Sequence, residues 1–142
     1  MDVMHDFIRW GPDLELGIPE LDAQHRKLVD LSNRLYSEHW KEAQGEGEKA
    51  AIAELFSYAA THFADEEKYF SAYNFPSLEK HKSAHAWFIA RAIEFEERLA
   101  LGSPAQAAEL LVFLESWIKR HIQRDDRELV RIARRIGQVP LR

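Results

Sequence analysis

The chain predicts an all-α protein: an up-down-up-down four-helix bundle with an N-terminal arm and a short C-terminal helix. Three observations carry this. Apolar residues recur at alternating three- and four-residue spacing through four long stretches, the seam of helices packed side by side. Short segments separate these stretches, which makes consecutive helices antiparallel neighbours. No strand-like pattern competes, and there is no internal repeat. A length of 142 residues suits one domain and is enough to bury a core. Residues 1–142 are therefore read as a single domain, with an arm over 1–18, the bundle over about 19–123 and the last helix over about 125–137.

The arm carries the breakers Trp10-Gly11-Pro12 and Gly17. Phe7, Ile8 and Trp10 are expected to pack against the chain beyond the arm. The first helix starts near Pro19, a residue favoured in a first helical turn. Its seam is Ile18, Leu21, His25, Leu28, Ser32 and Leu35, and it fades at Lys41–Gly47, where Gly45 and Gly47 mark a loop. The second helix runs from about Glu48 to Tyr73, with the seam Ile52, Leu55, Ala59, His62, Glu66 and Tyr69. A turn marked by Asn74 and Pro76 leads to the third, which begins at Pro76 or Ser77 and ends near Leu101. Its seam is Leu78, His81, His85, Phe88, Ala92, Phe95 and Leu99. Gly102 stops it, and Ser103-Pro104-Ala105-Gln106 reads as a capping box that opens the fourth. That seam is Ala107, Leu110, Leu114, Trp117 and His121. The last segment gathers Leu129, Ile132, Ala133 and Ile136 on one face.

Composition narrows the function classes. The apolar share of 46% and charged share of 30% are those of a soluble globular protein. The absence of cysteine excludes disulfides, thiolate metal sites and thiol chemistry, and fits a cytoplasmic location. No apolar run approaches the roughly 18–20 residues of a membrane span. The N-terminus lacks the apolar core of a signal peptide. A net charge of -5 argues against nucleic acid as a partner. Residues 119–142 nevertheless carry eight Lys/Arg against three acids. Such a run is ordinarily a solvated helical face whose cations suit a helix C-terminus, and less often a docking patch.

The seams also carry polar residues. His62/Glu66 and His81/His85 are four apart, so each pair projects from one helical face. His25 is early in its helix, His62 late, His81 and His85 early, and His121 late. In an antiparallel bundle these places fall at one end, so five of the seven histidines share a core layer. A single buried histidine usually needs no more than one hydrogen-bond partner. Five together with a carboxylate form a costly polar core unless a metal uses their lone pairs. A second carboxylate follows His121, and Asp125 and Asp126 both qualify. Asp126 lies five residues on, about 140° round an ideal helix. It reaches the site only if the helix ends or distorts, as a new capping box from Asp125 to Glu128 would allow. Five histidines and two carboxylates exceed one ion's needs. With both carboxylates and one solvent-derived oxygen bridging, two octahedral ions fill about eleven of twelve positions and leave one open. Asp22 and Gln24, just before His25, stand where they can orient a ligand, and Glu67, one place off the seam, is expected to face solvent. His5 and His39 are read as non-ligands.

These motifs are G-I-P-E-L-D-A-Q-H (Gly17 to His25), H-F-A-D-E-E (His62 to Glu67), H-K-S-A-H (His81 to His85) and W-I-K-R-H-I-Q-R-D-D (Trp117 to Asp126). Together they resemble the hemerythrin family, in its prokaryotic single-domain form, the bacteriohemerythrins. The resemblance covers nearly the whole chain and matches all seven of the family's ligand positions. It implies a non-heme di-iron centre, two iron ions with a bridging oxo or hydroxo group, that binds O2 reversibly. It assigns His81, His85 and His121 to one iron and His25 and His62 to the other, which keeps the open position. It assigns Glu66 and Asp126 as bridges and so favours Asp126 over Asp125. Leu28, Phe63, Trp117, Ile118 and Ile122 lie within a turn of a ligand and are the candidate walls of the O2 pocket. The expected role is an oxygen carrier, store or supplier, not an enzyme. The alternatives are a di-iron enzyme acting on peroxide or nitric oxide, and an O2 or redox sensor. Carboxylate-rich oxidases of the ferritin type use Glu-x-x-His pairs, and none occurs in this chain.

Overall fold

The computed structural model describes residues 7–39, 46–71, 78–100 and 105–135. The turn at Asn74 and Pro76, the Gly102 stop, Ser103, His5 and Ile136 lie outside the described residues, as do the side chains of His39, Leu99, Ala107 and Ala133. The helices are α1 (Pro19–His39), α2 (Glu46–Ser71), α3 (Leu78–Ala100), α4 (Ala105–Arg120) and α5 (Arg127–Arg135). A π-helical turn, His121–Asp126, joins α4 to α5. Each of the first three helices packs on the next, and α4 closes back on α1. This is the four-helix bundle that the seams predict. Among the described residues there is no strand, and no helix is long and apolar enough to cross a membrane.

The seams form the core. Leu21, Leu28 and Leu35 of α1 meet Ile52, Leu55 and Ala59 of α2, Phe88 and Ala92 of α3, and Leu110 and Leu114 of α4 in one buried cluster. Burying a side chain of this size contributes roughly 1.5–3 kcal/mol. That stabilises the layer which must also hold the polar residues.

The arm packs as expected at its start. Ile8 is fully buried, and Phe7 stacks on Tyr36 with ring centroids 4.7 Å apart. The Ile8 N–H donates to Asn33 Oδ1 at 2.7 Å, and Asn33 Nδ2 donates to the Ile8 carbonyl at 2.9 Å. A single 3-10 turn, Pro12–Leu14, comes next, and Gly17 has φ +87°, a left-handed conformation that favours glycine. The far end of the chain holds the arm in place. Arg127 Nη2 donates to the Asp13 and Glu15 carbonyls, and Arg134 Nη2 to that of Leu16. Two arginines of the basic run thus clamp the molecule together, while Arg131 pairs with Glu128.

The end of α4 departs from expectation. The sequence suggests a break and a fresh capping box at Asp125. The backbone instead stays helical from Ala105 to Arg135 and widens by a residue over His121–Asp126. The Arg127 N–H reaches the Ile122 carbonyl, five residues back. Hydrogen bonding at that spacing places residues five apart above one another, so Asp126 comes round to the face of His121. The wide turn is held by what it buries: His121, Ile122 and Asp126 inside, with Leu129 and Val130 beyond them.

Candidate metal centre

Three helices, α1 to α3, and the π turn that follows α4 bring seven polar side chains to one layer. His25, His62, Glu66, His81, His85, His121 and Asp126 are all buried, none more than 5% exposed. Asp126 is the inward-facing acid, whereas Asp125 is half-exposed at the rim.

The seven divide into two groups. Glu66 Oε1 lies 2.9 Å from His81 Nε2, 3.0 Å from His85 Nε2 and 3.3 Å from His121 Nε2. Asp126 Oδ1 lies 2.8 Å from His81 Nε2 and 3.1 Å from His121 Nε2. The other two oxygens serve the other histidines. Glu66 Oε2 is 3.1 Å from His25 Nε2 and 3.3 Å from His62 Nε2, and Asp126 Oδ2 is 3.0 Å from His25 Nε2. Each carboxylate therefore gives one oxygen to each group. Either group can hold an ion: three nitrogens with two oxygens, or two nitrogens with two oxygens.

The residues fit a metal on three counts. Metal–nitrogen bonds of about 2.1 Å place adjacent octahedral donors about 3.0 Å apart, close to the separations in this layer. Both oxygens of Asp126 are buried without a hydrogen bond, although imidazole nitrogens stand within 3.1 Å. The nitrogens are near enough but poorly aligned with these oxygens, as donors aimed at a common centre would be. Finally, His85 Nε2 and His121 Nε2 are 2.9 Å apart. The His85 Nδ1 proton is directed to Glu67 Oε2 at 2.8 Å, which leaves Nε2 as a lone pair facing a second imidazole. That lone pair points into the layer, as a metal ligand's does.

Proton affinities follow the same convergence. Burial alone pushes His25 and His81 down, but Asp126 and Glu66 outweigh it and lift each to about 9. His121 is likewise depressed by burial and raised well above its ordinary value by Asp126, Asp125 and Glu66. For His62 burial wins over Glu66, and its affinity falls. Glu66 is driven up by burial, yet His121, His25, His62 and His81 hold it well below the carboxylate range. Asp126 is raised by burial and by Glu66, and His121 and His25 hold it below that range. The layer is thus built to keep positive charge between ionised carboxylates. A metal ion takes the place of protons there.

Aromatic rings close the layer from the core. Phe63 lies flat against His85 at 4.1 Å and edge-on to Trp117 at 5.5 Å. Trp117 stacks on His121 at 4.4 Å. Leu28 of α1, Ile118 of α4 and Ile122 of the π turn are also buried.

The residues behind the ligands match expectation only in part. Gln24 Oε1 accepts from His62 Nδ1 at 2.7 Å, so it does orient a ligand, His62 on the neighbouring helix and not the adjacent His25. Asp22 orients neither; its carboxylate accepts from the Leu16 and Gly17 N–H groups at 2.8 and 3.1 Å and fixes the arm. The expectation that Glu67 faces solvent is corrected: it accepts from His85 Nδ1 and is 27% exposed. Packing of α3 against α2 carries His85 to the off-seam position, which a helix considered alone cannot show. The signal was the tandem Glu66-Glu67 itself.

The model of the hemerythrin HHE cation binding domain matches residues 16–133. A bacteriohemerythrin of Stenotrophomonas maltophilia is 33% identical over 121 residues, covering 82% of this chain and 75% of its own. One of Clostridium acetobutylicum is 32% identical over 125 residues, covering 85% and 97%. A myohemerythrin of Riftia pachyptila is 26% identical over 114 residues, covering 80% and 83%. A crystal structure of a leucine-to-phenylalanine mutant superposes with a TM-score of 0.77 over 87% of this chain and 95% of its own; at 17% identity it speaks for the fold alone. The family match runs through all four helices and every residue of the buried cluster, and the chain belongs to the hemerythrin family.

Proposed function

We propose that this protein holds two iron ions, with a bridging oxo or hydroxo group, and binds O2 reversibly as a carrier, store or supplier. The observation that carries the reading is the division of Glu66 and Asp126, one oxygen to each histidine group. Carboxylates split in this way hold two ions side by side. His81, His85 and His121 with two oxygens, plus a shared bridge, make six donors. His25 and His62 with two oxygens, plus that bridge, make five and leave a position beside them for a small ligand.

Iron in this site supplies the reversible electron exchange that O2 binding requires. The chain supplies the rest. Glu66 and Asp126 would hold both ions, one oxygen to each, and balance their charge. The imidazoles keep the donor set less anionic than carboxylate-rich sites, which favours release of O2 over its consumption. Leu28, Phe63, Ile118 and Ile122 are buried near this layer, Phe63 with its ring 5.7 Å from that of His62, and would keep water from the ligand, while Trp117 covers His121 of the other group.

The test is a cycle. Metal analysis of the purified protein is expected to find two irons per chain. The reduced protein, exposed to O2 and then to vacuum, is expected to recover its starting spectrum over repeated rounds. Rapid one-way oxidation, with peroxide or nitric oxide consumed on addition, replaces the carrier reading with an enzymatic one.

A further inference from the structure

The two histidine groups differ in what stands behind them. In one group His85 donates from Nδ1 to the Glu67 carboxylate at 2.8 Å. His121 Nδ1 lies 3.4 Å from Asp125 Oδ2, outside hydrogen-bond alignment but close enough to feel its charge. In the other group His62 donates from Nδ1 to a neutral amide, Gln24 Oε1, at 2.7 Å. Gln24 Nε2 donates to Asp65 Oδ2 at 3.2 Å, which sets the amide with its oxygen toward His62. His25 Nδ1 is buried with no hydrogen-bond partner. So full negative charge backs the His81/His85/His121 group, while an amide or nothing backs the His25/His62 group.

The difference has a chemical consequence. An anion that accepts the Nδ1 proton pushes electron density into the ring and makes Nε2 a stronger donor. Such charge-assisted bonds are roughly twice as strong as neutral ones. An amide orients the ring without that electronic push. Glu67 sits against His85 with most of its surface covered, so water screens this charge less than that of Asp125, which is 45% exposed.

We infer that Glu67 and Gln24 make the two metal positions unequal, Glu67 rendering the three-histidine position the tighter and first filled. The inference rests on the two-ion reading above. Glu67 is a positioning residue: it acts through His85 and touches no ion. The arrangement serves reversible binding, since the position that never meets the exogenous ligand is anchored firmly. The one beside His25 and His62 is held by weaker donors and is left freer to exchange a ligand.

Zinc, which is redox-inert, tests this in the chelated full chain by titration against a chromophoric competitor. The unaltered protein is expected to take two zinc ions in separable steps, and a crystal structure at one equivalent to place the first among His81, His85 and His121. Glu67→Gln keeps an oxygen acceptor for His85 and removes the charge. It is expected to weaken the tighter step by about 10–100-fold and leave the other unchanged. Gln24→Glu is expected to strengthen the weaker step, and the double substitution to reverse the filling order, which a merely structural role of either residue does not produce. The inference fails if Glu67→Gln shifts both steps equally or neither, or if the first zinc lies beside His25 and His62. Fewer than two zinc ions bound to the unaltered chain overturns the two-ion reading, and the inference with it.

Discussion

Glu66 is the residue on which both histidine groups depend. It stands one helical turn after His62, is fully buried, and sets one oxygen against each group. Replacing it by glutamine preserves its shape but removes the anion that faces five histidines. Chelated Glu66→Gln protein is expected to lose on the order of 3–5 kcal/mol, the usual cost of breaking a buried ion pair, and to take up iron at neither position. Denaturant unfolding and metal analysis read the two effects separately. The same charges predict a pH dependence for the chelated protein. His25 and His81, raised to about 9 from 6.5, contribute stability that is complete below pH 6.5 and is lost as pH rises toward 9. His121, raised further, acts in the same sense, and His62, lowered by burial, opposes them as a single group. Glu66 and Asp126 are depressed, so their contribution is present above their ordinary values of 4.5 and 3.8 and is lost in acid. Stability is therefore expected to peak between about pH 4.5 and 6.5 and to decline to pH 9. Iron affinity should rise over that same upper window as protons leave the imidazoles. A flat stability profile between pH 6.5 and 9 contradicts the raised proton affinities of His25 and His81.

At the scale of the element, the π turn is the device that completes the site. Asp126 lies five residues after His121, and a regular α-helix turns it away by about 140°. The wide turn brings it back. Inserting one alanine after Gln123 moves Asp126 to the sixth place and off that face. The variant is expected to keep its helical circular dichroism and to lose iron. Deleting Arg124, an exposed residue, places Asp126 four after His121 in an unbroken α-helix, on the face it needs. That variant is expected to retain iron. If both changes abolish binding, the turn does more than position Asp126. Legibility at this scale was uneven. The seams of α1 to α3 were plain because each buries one stripe, and three-four spacing records a stripe directly. The π turn left no such mark, since H-I-Q-R-D-D contains neither glycine nor proline. What stabilises it is the burial of Asp126 in the cluster and of Leu129 beyond, contacts made with other helices.

The whole molecule is tied together at its metal end. Helices α1 to α3 and the π turn that continues α4 contribute to the cluster, and the arm is fastened to the same end by Arg127, Arg134 and Asp22. Folding and metal binding are then linked. Ligand present at a thousand times its Kd stabilises by about 4 kcal/mol, so loading is expected to raise the melting temperature by roughly ten degrees or more. His121→Ala should lower iron content and melting temperature together. A chelated protein that melts as high as the loaded one contradicts a core stabilised by metal. Arg127→Ala, which frees the arm without touching a candidate ligand, is expected to cost about 1–3 kcal/mol and leave the iron content unchanged.

By itself the sequence determined the helical seams, the bundle, and which polar side chains share a layer, because helix periodicity and antiparallel order together dictate height and face. His25, His62, Glu66, His81, His85 and His121 could be placed in this way. Asp126 could not: its face depends on a backbone distortion held by long-range burial, and the family resemblance, not periodicity, favoured it over Asp125. Tertiary structure alone decided which carboxylate oxygen faces which histidine group, and that Glu67 stands behind His85 while Gln24 stands behind His62. Those are contacts between helices, set by how α1, α2 and α3 rotate against one another in the packed core. The proposed inequality of two metal positions rests on those contacts.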